Sequence, residues 1–258
     1  MQLSSAVDLA LGRRKAQIKA IVRRRYVLRT LSVACRSRLG ILAALHGTDK
    51  LAHGYIPRYE MLFRKNRNRK FSMLEIGIGG YEGYTTGGES LRMWKAYFPN
   101  AQIHGLDILD KSHVKEKRIT VWQGSQTDAG LLQSIHKAAG GFDVVIDDGS
   151  HRNDHVIRSF EILFPLLNPG GMYVIEDVQT SYWPQYGGKL AIHDEGPHTT
   201  MGYFKRRADR LNHQEFRGGD FVPEPLDTEI DGVFFWHNLI ALSKAAKREG
   251  PQREFVQS

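Results

Sequence analysis

The sequence predicts an α/β fold built on a mostly parallel sheet, and three features predict it. Short apolar runs alternate with helical stretches. The runs are continuous rather than two-faced, and most of them end in glycines or acids. A strand that is apolar throughout must bury both of its sides, which a parallel sheet covered by helices on both faces provides.

The runs follow in order at 72–79 (SMLEIGIG), 102–109 (QIHGLDIL), 119–125 (ITVWQGS), 142–148 (FDVVIDD) and 171–178 (GMYVIEDV). Helical stretches separate them near 89–98, 128–139 and 153–167. Residues 231–244 (DGVFFWHNLIALSK) hold two apolar runs split by His237 and Asn238, which reads as a closing hairpin whose last strand is antiparallel to its neighbour.

At 258 residues the chain suits one large domain, or one domain with an appendage. Its 41% apolar and 25% charged residues exclude a disordered, collagen-like or disulfide-scaffold chain. Lone Cys35 cannot close an intramolecular disulfide, so nothing points to an oxidising compartment. There is no apolar run of the roughly 18 residues that a spanning helix needs, and no compact apolar segment of a signal peptide. The expected location is cytoplasmic.

The net charge of +8 is unevenly placed. Residues 1–40 carry ten Lys/Arg against Asp8 alone, and the remainder is close to neutral. That distribution argues against a nucleic-acid groove across the main body, and no nucleic-acid partner is expected. Within the arm, Val7, Leu11, Ile18, Ile21, Val22, Leu28 and Leu31 recur at helical spacing between arginine clusters. A helix packed on its own domain or on a partner subunit, a helix on an anionic membrane surface, and a targeting peptide all fit this pattern. The expected organisation is a basic helical arm at 1–45 and a catalytic domain at 46–258.

In an open parallel sheet, ligands bind beyond the carboxyl ends of the strands, near the switch in strand order. Acids stand at those ends: Glu75 in the first strand, Asp107 in the second, Asp147 and Asp148 in the fourth, Glu176 and Asp177 in the fifth. A phosphate crevice would want glycines and bases instead. Gly77, Gly79 and Gly80 do not complete the phosphate-binding glycine pattern, and for Gly77 and Gly79 a nucleoside site and a tight turn that merely needs positive φ both fit. An acid at Asp107 can take both hydroxyls of a ribose. A cluster of Asp148, Glu176 and Asp177 suits Mg²⁺ or Mn²⁺ better than zinc. His151, three residues beyond Asp148, is placed to accept a proton, or simply sits at the start of the next helix.

At these residues the sequence resembles the S-adenosylmethionine-dependent sugar O-methyltransferases typified by the macrocin and mycinamicin O-methyltransferases. It is similar also to a mycobacterial methylmannoside 1-O-methyltransferase. The matching segments are HGTDK (46–50) with Tyr55 and Tyr59, LEIGIGGYEGYTTGGESLRMW (74–94), HGLDI (104–108), GSQTD (124–128), IDDGSH (146–151) and IEDVQTSYWP (175–184). The resemblance implies a class I methyltransferase (Rossmann-like) fold of seven strands, the last antiparallel, with helices on both faces. It implies S-adenosylmethionine as donor, held by Glu75, Gly77 and Asp107 at its amino-acid end and ribose and by Ser125, Gln126 and Asp128 at its adenine. Asp147 and the Thr48–Lys50 segment would close the pocket. It puts metal ligands at Asp148, Glu176 and Asp177 and the general base at His151.

Residues 179–205 then read as a long loop, and its aromatics Tyr182, Trp183 and Tyr186, with His193 and His198, suggest a lid over the acceptor or simple packing. Lys205, Arg206 and Arg207 read as a solvated helix face. The expected activity is Mg²⁺-dependent methylation of a sugar hydroxyl on a glycoside, glycolipid or polysaccharide. The alternative is a catechol-like diol, which would chelate the metal equally well. A homodimer or larger homo-oligomer and membrane contact through residues 1–40 are the expected associations.

Overall fold

A computed structural model describes residues 27–28, 30–80, 86–189, 196–216 and 221–246. Most of the helix expected over 6–34 lies outside these residues, as does His193. Of that helix, 27–28 and 30–34 are described and helical. No described helix is long and apolar enough to cross a membrane.

The chain falls into two compact units. One takes in Arg69–Leu91 and everything from Asn100 onward; the other takes in the chain up to Asn68 together with Arg92–Pro99. Residues 46–68 group with the segment that precedes them.

The first unit is a seven-stranded sheet of β1 (Ser72–Ile76), β2 (Gln102–Asp107), β3 (Ile119–Gln123), β4 (Phe142–Asp147), β5 (Leu167–Glu176), β6 (Ile230–Trp236) and β7 (Leu239–Lys244). Their order is β3-β2-β1-β4-β5-β7-β6. Strands β1 to β5 pair in parallel, and β7 runs antiparallel to both β5 and β6. This is the expected seven-stranded class I arrangement with the last strand antiparallel. The order reverses between β1 and β4, so the crevice for ligands opens there.

Interstrand register aligns the acids. Ile76 pairs with Asp147, Asp147 with Ile175, and Asp107 with Gln123. All of these residues close their strands at the same edge.

The helices of this unit follow from local chemistry. Asp128 accepts from Leu131 N at 3.0 Å and starts α4 (Ala129–Ala139), and Gly140 ends it at φ 74. Asn153 opens α5 (Asn153–Leu163), whose Val156, Phe160 and Leu163 face the core. Further on lie α6 (Thr200–Arg210) and α7 (Pro225–Glu229). The core joins Leu74, Ile76, Leu106 and Val145 of the strands to Leu132, Phe160, Phe164 and Phe204 of the helical layer.

Two boundaries differ from the sequence reading. The helix expected to reach residue 167 ends at Leu163, and β5 begins at Leu167 rather than 171. Leu167 pairs with Phe142 ahead of a register shift, so Asn168-Pro169-Gly170-Gly171 form an irregular strand start that looks like a turn in sequence.

The second unit contains α1 (Leu39–His46), α2 (Ile56–Phe63) and the later turns of α3 (Glu89–Tyr97). Its interior is aromatic. The ring of Trp94 lies 4.9 Å from Tyr59 edge-on and 5.8 Å from Phe98 in a stack, and Phe63 packs beside both.

Candidate active site

The strand-end acids meet as the topology requires. Glu75 is buried, and its Oε2 accepts from Ser90 Oγ at 2.9 Å. One oxygen each from Glu75, Asp148 and Glu176 lies within 4.8 Å of the others, and so do ligand atoms of Asp148, His151 and Asp177. The three acids expected as one ligand set therefore divide between two clusters that share Asp148. Glu176 is buried with Glu75, whereas Asp177, in left-handed backbone at φ 53, turns toward His151. The Asp177 Oδ2 lies 3.7 Å from His151 Nε2, and His151 is itself left-handed at φ 55. Glu75, expected on the donor, thus stands with the acid cluster.

Beside this cluster is a cavity of about 200 Å³. Its lining includes Gly77, Asp107, Ser125 and Gln126, four of the positions expected to hold the donor. Asp107 spans the mouth of β2: its Oδ2 accepts from Ile78 N at 3.0 Å and its Oδ1 from Leu109 N at 2.9 Å. These bonds fix the carboxylate and leave lone pairs directed outward. Gly77 is required at its position. It has φ 80, and a Cβ there would collide with the Asp148 backbone carbonyl.

Behind the cavity stands Asp147, fully enclosed. It takes Ser159 Oγ at 2.5 Å, Gln126 Nε2 at 3.1 Å, Tyr173 Oη at 3.2 Å and Gly149 N at 3.3 Å. Burial raises its pKa, and the hydrogen bonds, with nearby His151, oppose that rise. The Tyr173 hydroxyl is pushed well above its ordinary value by burial and then by Asp147. Gln126 passes this order outward, since its Oε1 accepts from Ser150 N at 2.8 Å. Asp147 therefore ties β4, β5, α5 and the segment that follows β3 together behind the cavity.

One expected donor position is spent otherwise. Asp128 does not line the cavity; its carboxylate caps α4. Thr48 and Lys50 belong to the other compact unit, where both are buried at a short 3₁₀ turn, Asp49–Leu51. The segment expected as a long loop over 179–205 forms two 3₁₀ turns, Val178–Tyr182 and Pro184–Tyr186, and its end, from Thr200, is the start of α6, whose first residues Thr199 Oγ1 caps by accepting from Gly202 N. Tyr182 and Trp183 are exposed, and the ring of Trp183 lies 5.9 Å from that of Tyr186.

Arg207 departs from the solvated face expected of 205–207. Its side chain is 11% exposed and pairs with Glu224 at 2.7 Å and Asp227 at 3.4 Å. Lys205 and Arg206 are exposed.

The sequence reading missed Ser150 and His155, which also line the cavity and join Oγ to Nδ1 at 2.9 Å. It missed Ser159 and Tyr173 as well. The signal for His155 was present: it lies one helical turn beyond His151, on the helix that leaves the crevice.

The chain is similar to known proteins. Residues 99–222 match a family model described as rhamnosyl O-methyltransferase/CmcI. The chain is 46% identical over 222 residues to the mycinamicin VI 2''-O-methyltransferase of Micromonospora griseorubida, covering 84% of this chain and 55% of that protein. It is 46% identical over 201 residues to the demethylmacrocin O-methyltransferase of Streptomyces fradiae, covering 77% of this chain and 50% of that one. This chain is a relative of the sugar O-methyltransferases. Among solved relatives, the MycE methyltransferase of the mycinamycin biosynthetic pathway, in complex with Mg, SAH and mycinamycin VI, superposes with a TM-score of 0.78. It is 44% identical, covering 85% of this chain and 56% of that one. The class I methyltransferase fold is thus shared with a sugar O-methyltransferase relative. The chain spans about half the length of the curated relatives it matches.

Proposed function

We propose that this chain transfers a methyl group from S-adenosylmethionine to a sugar hydroxyl of a glycoside, with Mg²⁺ at the strand-end acids and His151 as general base. One observation carries the reading: a small cavity at the switch point opens beside a cluster of carboxylates that contains an imidazole.

The residues fit both groups. Carboxylate oxygens gathered within 4.8 Å are hard donors of the kind Mg²⁺ or Mn²⁺ takes. Asp148, Glu176 and Asp177 would hold the ion, with Glu75 supporting the inner side. The glycine at position 77 and the fixed carboxylate of Asp107 suit a nucleoside with a charged amino-acid end, with Ser125 and Gln126 beside the base. When bound, the donor supplies an activated methyl on sulfonium and the ion supplies charge that orients neighbouring hydroxyls and acidifies the one that reacts.

His151 accepts the hydroxyl proton at Nε2. A hydrogen bond to the Asp177 carboxylate would require a proton already on Nε2, and the 3.7 Å to Oδ2 is too long for one, so that contact does not hold Nε2 in the protonated form. Once protonated, the imidazolium faces a carboxylate that stabilises it. Asp147, through Gln126 and Gly149, keeps the floor of the site in place. Tyr182, Trp183 and Tyr186 form an aromatic cover whose faces suit the apolar face of a sugar ring.

A further relative, a Streptomyces olivaceus protein, is named for 2'-O-methylation of 8-demethyl-8-alpha-L-rhamnosyl tetracenomycin-C, a rhamnosyl compound, which supports a sugar over the catechol-like diol. The reading includes a cytoplasmic enzyme that forms a homo-oligomer.

The test is methyl transfer from labelled S-adenosylmethionine to mannosides, rhamnosides, macrolide glycosides and catechols, each with Mg²⁺ and with excess chelator. Label on a sugar only when metal is present is the expected result. Label on catechols alone removes the sugar, and label on a sugar in excess chelator removes the metal role.

A further inference from the structure

The compact unit formed by residues up to Asn68 and by Arg92–Pro99 has a cavity of its own. Its volume is about 560 Å³, and its lining includes Arg38, Glu60, Arg64, Arg67, Asn68 and Tyr97. Nothing in the methyl-transfer reading uses it. A volume of this order accommodates a small organic molecule rather than a single ion.

The charges on its walls are unbalanced. Three guanidiniums face one carboxylate, and that carboxylate is partly committed, since Glu60 Oε1 accepts from Leu39 N at 3.1 Å. Among the described residues, no carboxylate lies within ion-pair distance of Arg38, Arg64 or Arg67. Arg67 is held in place by protein contacts instead: its Nη1 donates to the Arg36 carbonyl at 3.1 Å, and its guanidinium lies 5.7 Å from the centre of the Tyr97 ring. A cation fixed by a carbonyl and an aromatic face is oriented before any ligand arrives, so little entropy is lost when it binds one.

Tyr97 forms the floor. It is buried, with 1% of its surface exposed. Burial and then Glu60 raise its pKa, while Arg67 and Arg64, which share the lining with it, act to lower it. The phenol stays protonated at neutral pH and offers a donor. Asn68 adds a further polar side chain on the wall.

We propose that this cavity binds a phosphate-bearing small molecule, with Arg38, Arg64 and Arg67 on the phosphate and Tyr97 beside the organic part. Guanidinium forks match phosphate oxygens two at a time, and three of them against one carboxylate favour a dianion over a monoanion. The phosphate group can belong to a free metabolite such as a sugar phosphate or to the headgroup of an anionic lipid.

The experiment measures binding by calorimetry on the full chain, with glucose 1-phosphate and glycerol 3-phosphate as soluble probes. A second arm measures flotation with phosphatidylcholine vesicles containing or lacking phosphatidic acid. Arg64→Gln and Arg67→Gln are each expected to weaken binding of the preferred probe about tenfold or more, the size of one lost charge-assisted hydrogen bond. Glu60→Gln, which keeps an acceptor for Leu39 N, is expected to tighten it. Lys65→Gln, on the same segment but outside the lining, is expected to change nothing. Saturable binding of a soluble probe with these responses assigns the site to a free phosphate. The same responses seen only with phosphatidic acid vesicles assign it to a headgroup. Absence of binding in both arms overturns the proposal. So does binding that Lys65→Gln weakens as much as Arg64→Gln, which would mark a diffuse basic surface. Circular dichroism on each variant separates loss of the site from loss of the fold, and Arg64→Gln, on an exposed residue, keeps the test independent of Arg67.

Discussion

His151 and Asp177 face one another across the crevice from two different strand ends, Nε2 to Oδ2 at 3.7 Å, and each holds left-handed backbone to do so. Non-glycine residues at positive φ are uncommon and cost about 1 kcal/mol or more each, so two of them meeting side chain to side chain marks a place where geometry outweighs local comfort. The pairing predicts how the two residues divide the chemistry. Asp177→Asn keeps the shape and removes the charge beside the imidazole. Turnover should fall about ten- to a hundredfold, with donor affinity nearly unchanged. His151→Ala should lower turnover about a hundredfold or more, while Mg²⁺ affinity measured by calorimetry stays within about threefold. A large loss of metal affinity in His151→Ala would make the residue a ligand rather than the base.

Gly77 and Gly79 make a paired prediction. Both have positive φ, but a Cβ at Gly77 would enter the Asp148 carbonyl, whereas one at Gly79 meets nothing within 4 Å. Gly79→Ala should therefore cost only about 1 kcal/mol of backbone strain and leave donor binding measurable. Gly77→Ala must displace the β4 end that carries Asp148. Calorimetry with S-adenosylhomocysteine should show binding in the first variant and none in the second. Equal affinities would mean that the close approach of the two strand ends does not shape the cavity.

The fold was legible because its strands are apolar on both sides, and the acids were legible because they sit where such strands stop. Leu74, Val145 and Val174 could hardly belong elsewhere than in a doubly covered sheet. What sequence could not show is how a side chain is spent. Asp128 follows Ser125 and Gln126 in the chain, yet its carboxylate is used by the helix it caps. Glu75 lies two residues before Gly77, which lines the cavity, yet its carboxylate stands with Asp148 and Glu176. Ser159 and Tyr173 reach Asp147 only because α5 packs on β5, a contact with no local pattern.

The network on α6 and α7 predicts a pH dependence of stability. Asp227 is buried, which alone would raise its pKa. Hydrogen bonds from Arg210 at 2.7 Å and from Glu224 N at 2.7 Å, with the charges of Arg210 and Arg207, bring it below the usual value instead. A carboxylate with a depressed folded-state pKa contributes stability that is present above its unfolded pKa of about 3.9 and lost as pH falls through the lower folded value. Asp227→Asn should therefore destabilise the protein by about 1–3 kcal/mol at neutral pH, in urea unfolding. The gap between variant and parent should close as the pH falls below about 4. A gap that persists in acid would show that packing, not charge, is what Asp227 contributes.

Asn153 predicts how the aromatic segment 178–189 is held. Its Nδ2 donates to the carbonyls of Thr180 at 3.2 Å and Tyr186 at 2.9 Å, and its Oδ1 accepts from Thr200 N at 2.6 Å. One buried side chain thus fastens both 3₁₀ turns and the start of α6 to the first turn of α5. Asn153→Ala leaves two carbonyls and one amide without this partner, each costing about 1–3 kcal/mol where water cannot replace it. Because the fastened segment is at the surface, where Tyr182 and Trp183 are exposed, water should recover part of that loss. The expected result is a moderate fall in stability with a selective loosening of 178–189. Limited proteolysis should cut that segment sooner, and KM for the proposed sugar acceptor should rise while donor affinity holds. Faster cleavage with an unchanged acceptor KM would mean that Tyr182 and Trp183 pack the surface of the domain and do not cover a substrate.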